Sequence, residues 1–183
     1  MRFVRTATRC SAALALLLLA LPLRAGETER VVLDDTRRAA LAALPALAGS
    51  LTGPEALADR VVVLGFFASW CPPCHPEFDH LKAIDARYRD DGVTVVAVNI
   101  FEDYFGGGDG SQLRAFLAGK APDFAVLGEG ERVAELFGSV ERIPTLFVFG
   151  ADGDPALHFI HARGAKKTHA GFEEIEAAVQ AAL

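Results

Sequence analysis

Two cysteines separated by two prolines and followed by a histidine are the residues of this sequence best suited to chemistry. They lie in the stretch SWCPPCHPEF, residues 69–78. A Cys-x-x-Cys pair can be a redox-active dithiol or half of a metal site, and Cys71-Pro-Pro-Cys74-His75 also matches a covalent haem attachment pattern. Each chemistry needs different support from the rest of the chain.

The haem and metal interpretations find little such support. Haem iron held by His75 needs a second axial ligand, often methionine, and the only methionine is Met1. A metal site needs about four ligands, so His158 and His161 would have to complete it, but residues three apart on a strand point to opposite faces. We therefore expect no cofactor and no metal. The sequence assigns no role to the remaining histidines, which are His80, His158, His161 and His169.

The elements around the motif favour the redox dithiol. Residues 61–67 (VVVLGFF) form a continuous apolar run, typical of a strand buried on both faces. Apolar residues behind the motif recur every three to four positions, which predicts an amphipathic helix. They are Phe78, Leu81, Ile84 and Tyr88. Cys71 would then lie at the N-terminus of this helix, where exposed N–H groups and the helix dipole favour a thiolate.

The other motif residues also have predicted positions. Cys74, one turn along the helix, would be shielded and act as the resolving thiol. Pro72 and Pro73 would fall in the first helical turn, where a missing N–H costs nothing. Pro76 would lie deeper, remove one hydrogen bond and kink the helix. Trp70 either covers one side of the site or is a core aromatic residue.

The rest of the pattern predicts an α/β domain with a central mixed sheet and helices on both faces. A second apolar run at residues 93–100 completes a strand–helix–strand unit, whose strands should be parallel. Strands at residues 145–149 and 157–162 flank a short turn and should form an antiparallel hairpin. The remaining elements are a helix over residues 34–47 interrupted by Pro45, a helix capped by Ser111, a short apolar piece at 124–127, and helices around 133–137 and 172–183.

A loop at residues 101–110 (FEDYFGGGDG) follows the second strand and is acidic, aromatic and rich in glycine. Parallel strands end at the same edge of a sheet, so this loop should lie beside Cys71 and help to select partners. It lacks the Lys-Ser/Thr pair of a phosphate-binding loop.

The N-terminus has the pattern of a secretory signal peptide. Arginines precede an apolar run at residues 12–23, which is well short of the roughly 20 residues of a membrane span, and small residues follow at Ala25 and Gly26. We expect export to the periplasm and cleavage near Ala25, with an uncleaved anchor as the alternative. The predicted organisation is a signal peptide at 1–25, a partly helical N-terminal extension at 26–50, and the α/β domain at 51–183.

Removing that segment changes both the charge and the cysteine content. Residues 1–25 carry four arginines and no acidic residue, so the net charge changes from −6 to −10. Such an acidic chain is a poor candidate for nucleic-acid binding. Cys10 would leave with the signal, and a bridge between Cys71 and Cys74 closes too short a loop to stabilise the fold much. Reactivity is the better explanation for the pair.

Two motifs in order make the sequence resemble the thioredoxin fold. Trp70-Cys-Pro-Pro-Cys74 follows the strand at residues 61–67, and Ile143-Pro144-Thr145 comes later. The resemblance implies that Pro144 follows a cis peptide bond and faces the dithiol, while Ile143 offers its backbone to a substrate like an added strand. The alternative, if the resemblance is set aside, is that Pro144 is simply the first residue of an edge strand. Together with Trp70, Pro72 and Pro73, these two residues are the predicted substrate-binding set.

The chain is similar to the TlpA/ResA-like branch of that fold in its secretion signal, its insertion between the two motifs, and Glu77 at Cys-x-x-Cys-x-x-Glu. This resemblance implies an extracytoplasmic thiol:disulfide reductase, with Cys71 and Cys74 forming the redox disulfide. We also expect a monomer. Its partners would be exported proteins with disulfides, among them apocytochrome c, and a membrane thiol donor of the CcdA/DsbD type.

Glu77 is the predicted acid/base of this site. Relatives carry a polar residue in the strand six places before the first cysteine, but this chain has Gly65 there. Spacing alone leaves Glu77 equally explained as a solvated residue at the helix N-terminus, and the resemblance favours the catalytic role. A thiol oxidase or isomerase, a thioredoxin-fold binding protein and a c-type haem carrier remain alternative functions.

Overall fold

A mixed sheet of six strands runs through the centre of the protein. The computed structural model describes residues 30–105 and 108–183, so the predicted signal peptide and Cys10 lie outside the described residues. The strands are β1 (Ala46–Ala48), β2 (Val61–Phe67), β3 (Val93–Asn99), β4 (Ala125–Leu127), β5 (Thr145–Phe149) and β6 (Pro155–Ile160). Their order across the sheet is β1-β4-β3-β2-β5-β6.

The pairing of the strands confirms the predicted parallel unit and the predicted antiparallel hairpin. β2 and β3 are parallel, as are β3 and β4. β5 pairs antiparallel with both β2 and β6, and β1 pairs antiparallel with β4. β2 lies at the middle of the sheet and all seven of its residues are buried, which is the environment that its unbroken apolar run predicts.

Helices cover both faces of the sheet. They are α1 (Asp35–Ala42), α2 (Cys74–Tyr88), α3 (Ser111–Lys120), α4 (Glu131–Leu136) and α5 (Phe172–Ala182). Alternate residues of β2 point to opposite faces, so Val63 packs in the core beneath α2 and α5 while Leu64 packs in the core beneath α1 and α4. No helix in the described parts of the chain combines the length and apolarity needed to cross a membrane.

The structure corrects the helix expected over residues 34–47. α1 ends at Ala42, and residues beyond Pro45 form the edge strand β1 instead. Proline lacks the N–H that would continue a helix and disfavours helical geometry in the residue before it. The Pro45 carbonyl accepts a hydrogen bond from Gly128 N at 2.8 Å, which directs the chain onto β4. Leu41 of α1 is fully buried, so this segment contributes to the core.

The starts of two helices, α2 and α3, also differ from prediction. α2 begins at Cys74, so Pro72 and Pro73 lie in a preceding turn. Pro76 is only the third residue of α2, where backbone N–H groups have no partner within the helix, and it removes no hydrogen bond there. In α3 the capping position belongs to Gly110, and Ser111 is the first helical residue.

Candidate functional site

The two cysteines are joined by a disulfide bond in the turn between β2 and α2. Their Cα atoms are 5.3 Å apart, and hydrogen bonds from Cys71 N to Ala68 O and from Cys74 N to Cys71 O hold the turn. Both residues are buried, with 2% and 1% of their surface exposed. Cys71 lines a cavity of about 820 Å³, whereas Cys74 is absent from the described residues that line it. Cys71 is therefore the cysteine that a partner in the cavity would meet.

The cavity lies between the dithiol turn, the loop after β3, α4 and the segment before β5. Trp70, Pro72, Pro73 and Ile143 of the predicted substrate-binding set line it. The Ile143–Pro144 peptide bond is cis. Pro144 is itself buried and contributes no lining surface among the described residues. The remaining lining residues are Phe101, Tyr104, Glu131, Ala134, Glu135, Ser139, Val140, Glu141, Arg142, His161 and Arg163.

Trp70 connects the dithiol turn to the loop after β3. Its indole Nε1 donates a hydrogen bond to the Phe101 carbonyl at 2.7 Å. The side chains of Tyr104 and Phe105 pack against the indole, with ring centroids 5.6 Å and 4.9 Å away. The prediction that this loop lies beside Cys71 is confirmed, and Trp70 is partly buried at the site rather than a residue of the deep core.

The Glu102 carboxylate holds that loop to the end of β2. It accepts hydrogen bonds from the Ser69 backbone N–H at 3.0 Å, from the Ser69 hydroxyl, and from Asn99 Nδ2 at 2.8 Å. Ser69 is 2% exposed, so water cannot readily replace Glu102 as the acceptor for its two donors. A buried donor without a partner costs about 1–3 kcal/mol, and Glu102 avoids that cost beside the dithiol.

Glu77 is buried one turn after Cys74, so the solvated interpretation is wrong. It is 3% exposed, and its Oε2 accepts a hydrogen bond from Ala170 N at 3.0 Å. Burial raises the pKa of Glu77 from 4.5 to about 7, while the Ala170 N–H opposes the shift and the charge of Glu174 adds to it. A carboxyl with a pKa near neutrality can both take up and release a proton there.

Gly65 lies in the middle of β2, and the side chain of Leu81 would have to shift slightly to admit a larger residue there. A Cβ at this position would come within 3.0 Å of Leu81 Cδ1. Leu81 of α2 thus fills the space above Gly65 in the core. Of the two candidate positions for an acid near the dithiol, only that of Glu77 carries one.

The histidines of the haem and metal interpretations are engaged elsewhere. His75 Nε2 donates to the Ser69 carbonyl at 3.0 Å, and its ring packs edge-on against Phe116. His158 stacks on Phe147, with centroids 4.0 Å apart. Within residues 30–105 and 108–183, no three potential metal-ligating side chains cluster together. With both sulfurs in the disulfide, this geometry favours redox chemistry.

Sequence reasoning missed three residues of this region: Ser69, Glu102 and His161. Glu102 could have been found, because it is the first acid after a strand parallel to β2 and the loop was already expected beside Cys71. His161 gave no such signal. It reaches the cavity because the antiparallel hairpin returns the chain past the residues before β5.

Comparisons with known proteins agree with this geometry. A family model described as Redoxin matches residues 34–174. The thiol-disulfide oxidoreductase ResA of Halalkalibacterium halodurans is 26% identical over 54% of this chain and 52% of its own length, and that of Bacillus subtilis is 27% identical over 53% and 51%. The chain thus spans about half the length of these curated relatives.

Solved structures match over more of the chain. A candidate thiol:disulfide interchange protein DsbE from Chlorobium tepidum is 29% identical, with a TM-score of 0.58 over 77% of this chain and 94% of that one. A secreted disulfide oxidoreductase of Mycobacterium tuberculosis has a TM-score of 0.63 at 19% identity, over 81% and 99%. This second likeness shows the fold alone, and it is the thioredoxin-like fold that the two sequence motifs predict.

Proposed function

The chain belongs to the Redoxin family, and from this premise we propose that it is a thiol:disulfide oxidoreductase acting through Cys71 and Cys74. The observation that carries the proposal is the disulfide between a cavity-lining Cys71 and a shielded Cys74. Cys71 precedes α2 by three residues, close enough for the positive end of the helix dipole to favour a thiolate.

In the proposed cycle the reduced protein transfers two electrons to a substrate disulfide. The Cys71 thiolate attacks one sulfur of the substrate, forming a mixed disulfide and releasing the other sulfur as a thiolate, which takes up a proton. Cys74, as a thiolate, then attacks the Cys71 sulfur. This breaks the mixed disulfide, releases the second substrate thiolate, and leaves the Cys71–Cys74 disulfide.

Glu77 is the proposed proton acceptor for the second step. Cys74 must lose its proton before it can attack, and Glu77 lies three residues further on the same face of α2. Its pKa of about 7 allows it to accept that proton and pass it on near neutral pH. Glu77 is buried, so the transferred proton would enter a site with little bulk water.

The substrate would bind in the cavity beside Cys71. Trp70, Pro72, Pro73 and Ile143 line this cavity and would contact the polypeptide around the target disulfide. Pro144 would act through the backbone it fixes next to Ile143. The backbone of Ile143 would pair with the substrate in the manner of an added strand.

We assign the direction and the location by family resemblance. The protein would be a reductase, exported to the periplasm by the basic and apolar segment at its N-terminus, with apocytochrome c among its substrates. Because the periplasm is kept oxidising, a membrane thiol donor of the CcdA/DsbD type would have to re-reduce it. Measuring its reduction potential against glutathione tests the direction, and a strongly oxidising value would favour an oxidase.

Replacing Cys74 with serine tests the activity. Serine fits the same space and cannot attack sulfur, so Cys74→Ser should stall at the mixed disulfide. The trapped complexes should survive non-reducing electrophoresis and dissociate in dithiothreitol. Cells expressing the full chain provide the partners, and mass spectrometry identifies them.

Two variants control the trap. The double variant Cys71→Ser/Cys74→Ser should capture nothing, because the attacking sulfur is missing. If Cys71→Ser captures partners and Cys74→Ser does not, then Cys74 is the attacking cysteine and Cys71 the resolving one. A failure of both single variants to capture any protein would leave a binding module as the better interpretation.

A further inference from the structure

His161 holds two consecutive backbone carbonyls next to the cavity. Its backbone N–H donates to the Pro144 carbonyl at 3.1 Å, and its ring Nδ1 lies 3.1 Å from the Ile143 carbonyl. The Ile143 carbonyl belongs to the peptide bond that joins Ile143 to Pro144. One residue from beyond the end of β6 therefore supports the backbone on both sides of Pro144.

The ring contact fixes the protonation of Nδ1. A carbonyl oxygen can only accept a hydrogen bond, so Nδ1 must carry the proton and donate it. His161 is half-buried and lines the same cavity as Cys71. Its hydrogen bond therefore acts on the wall of the cavity in which the reacting sulfur lies.

We propose that His161 is a positioning residue for polypeptide disulfides: it holds the Ile143 carbonyl so that the backbone beside it is ordered for pairing with the substrate chain. The inference rests on the proposed function and names its substrate class. A backbone strand that is already ordered saves the entropy of ordering it when the substrate binds. A small disulfide has no polypeptide backbone to pair with and gains nothing from this order.

Three substitutions separate the hydrogen bond from the bulk of the ring. Asparagine can place its side-chain amide nitrogen where His161 Nδ1 lies, so His161→Asn keeps the donor. His161→Leu fills similar space without a donor. His161→Gln is polar, but its amide lies one bond further out, at the position of Nε2, so it loses the contact with the Ile143 carbonyl.

The measured quantity is kcat/KM for a cysteine-bridged peptide divided by kcat/KM for 2-hydroxyethyl disulfide. A hydrogen bond worth about 1 kcal/mol predicts that this ratio falls about fivefold to tenfold in His161→Leu and His161→Gln. The loss should appear mainly in KM for the peptide. His161→Asn should keep the ratio within about twofold of the wild type, and circular dichroism checks that each variant is folded.

His158→Leu is the matched control. His158 lies three residues earlier on β6, stacks on Phe147 and lines a different cavity. The inference fails if the ratio is unchanged in His161→Leu and His161→Gln, if His161→Asn loses as much as they do, or if His158→Leu loses equally. If His161→Leu or His161→Gln does not fold, comparing the remaining one of these two with His161→Asn still tests the inference. Wild-type protein that exchanges neither substrate would instead refute the proposed function.

Discussion

Among single residues, the two sulfurs differ in what they can reach. Cys71 lines the cavity and Cys74 does not, although both are buried in the disulfide form. The sequence alone predicts this order from the position of Cys71 before α2. The cavity adds an independent reason, since Cys71 borders it and Cys74 does not.

Reduced protein should therefore be alkylated first at Cys71. With substoichiometric iodoacetamide near neutral pH, we expect most of the label on Cys71, because its thiolate is favoured by α2 and faces the cavity. Peptide mass spectrometry measures the distribution. Cys71→Ser should react much more slowly than Cys74→Ser, and preferential labelling of Cys74 would contradict the assignment.

Glu77 should make the protein less stable as the pH rises from about 4.5 to about 7. Burial raises its pKa in the folded state to about 7, so the folded protein binds more protons than the unfolded chain in this interval. The shift corresponds to a stability loss on the order of 3 kcal/mol, complete above pH 7. Glu77→Gln removes the titrating group and should remove this loss.

Urea denaturation of the oxidised protein between pH 4 and pH 8 measures the effect without thiol titration. Glu173→Gln is the control, because it removes an exposed carboxylate from the first turn of α5. The control should keep the wild-type pH dependence. Identical curves for wild type and Glu77→Gln would show that Glu77 does not titrate in this range.

Among the secondary-structure elements, the loop after β3 is held to the dithiol turn by the Glu102 carboxylate and by contacts with Trp70. Glu102 binds it to Ser69 and Asn99, and the same loop carries Tyr104 and Phe105 onto Trp70. Even with this packing, Tyr104 and Phe105 remain 72% and 76% exposed. Tyr104 lines the cavity together with Trp70, so the loop can influence which partners approach Cys71.

Glu102→Ala should release this loop from the dithiol turn. The lost acceptor leaves the Ser69 donors without a partner, at a cost of about 1–3 kcal/mol, while Asn99 Nδ2 keeps its hydrogen bond to the Phe67 carbonyl. Trp70 is the only tryptophan, so its fluorescence emission should move to longer wavelength as the indole becomes more exposed. Asp103→Ala, at the exposed neighbouring position, is the control. Unchanged emission in Glu102→Ala would show that aromatic packing alone holds the loop.

For the molecule as a whole, the sheet has two cores, and the N-terminal segment completes one of them. Leu33 and Leu41 are 1% and 0% exposed and pack with Phe66 and Phe147 beneath α1 and α4. β1 extends the sheet by pairing with β4. Residues 31–48 therefore stabilise the same unit that carries the dithiol.

Leu41→Ala should destabilise the entire protein by about 2–5 kcal/mol, because it opens a cavity in a fully buried site. Leu47→Ala in the same segment changes a side chain that is 40% exposed and should cost much less, about 0.5 kcal/mol. Urea denaturation followed by far-ultraviolet circular dichroism measures both. Equal effects of the two substitutions would mean that the segment is not part of the cooperative unit.

Local patterns in the sequence were enough to predict the elements that carry the dithiol. The strands at 61–67 and 145–149 have the predicted bounds, because a short apolar β-branched run between turns depends mainly on its own residues. The Cys-x-x-Cys pair could likewise be predicted from the sequence, because its spacing and its position between a strand and a helix are local features. Residues 46–48 were misread because an edge strand forms only when a distant partner, here β4, is available.

Only the tertiary structure decided how the site is completed. Three hydrogen bonds of the site join residues that are far apart in the sequence. Glu77 bonds to a backbone N–H 93 positions later, Glu102 to Ser69 33 positions earlier, and His161 to Ile143 18 positions earlier. Burial and hydrogen-bond partners at such separations depend on how the elements pack against each other. The periodicity of a single segment does not specify that packing. The Cys-x-x-Cys motif therefore indicates the type of chemistry. The burial and the hydrogen-bond partners of the cysteines and of Glu77 are set by the tertiary structure.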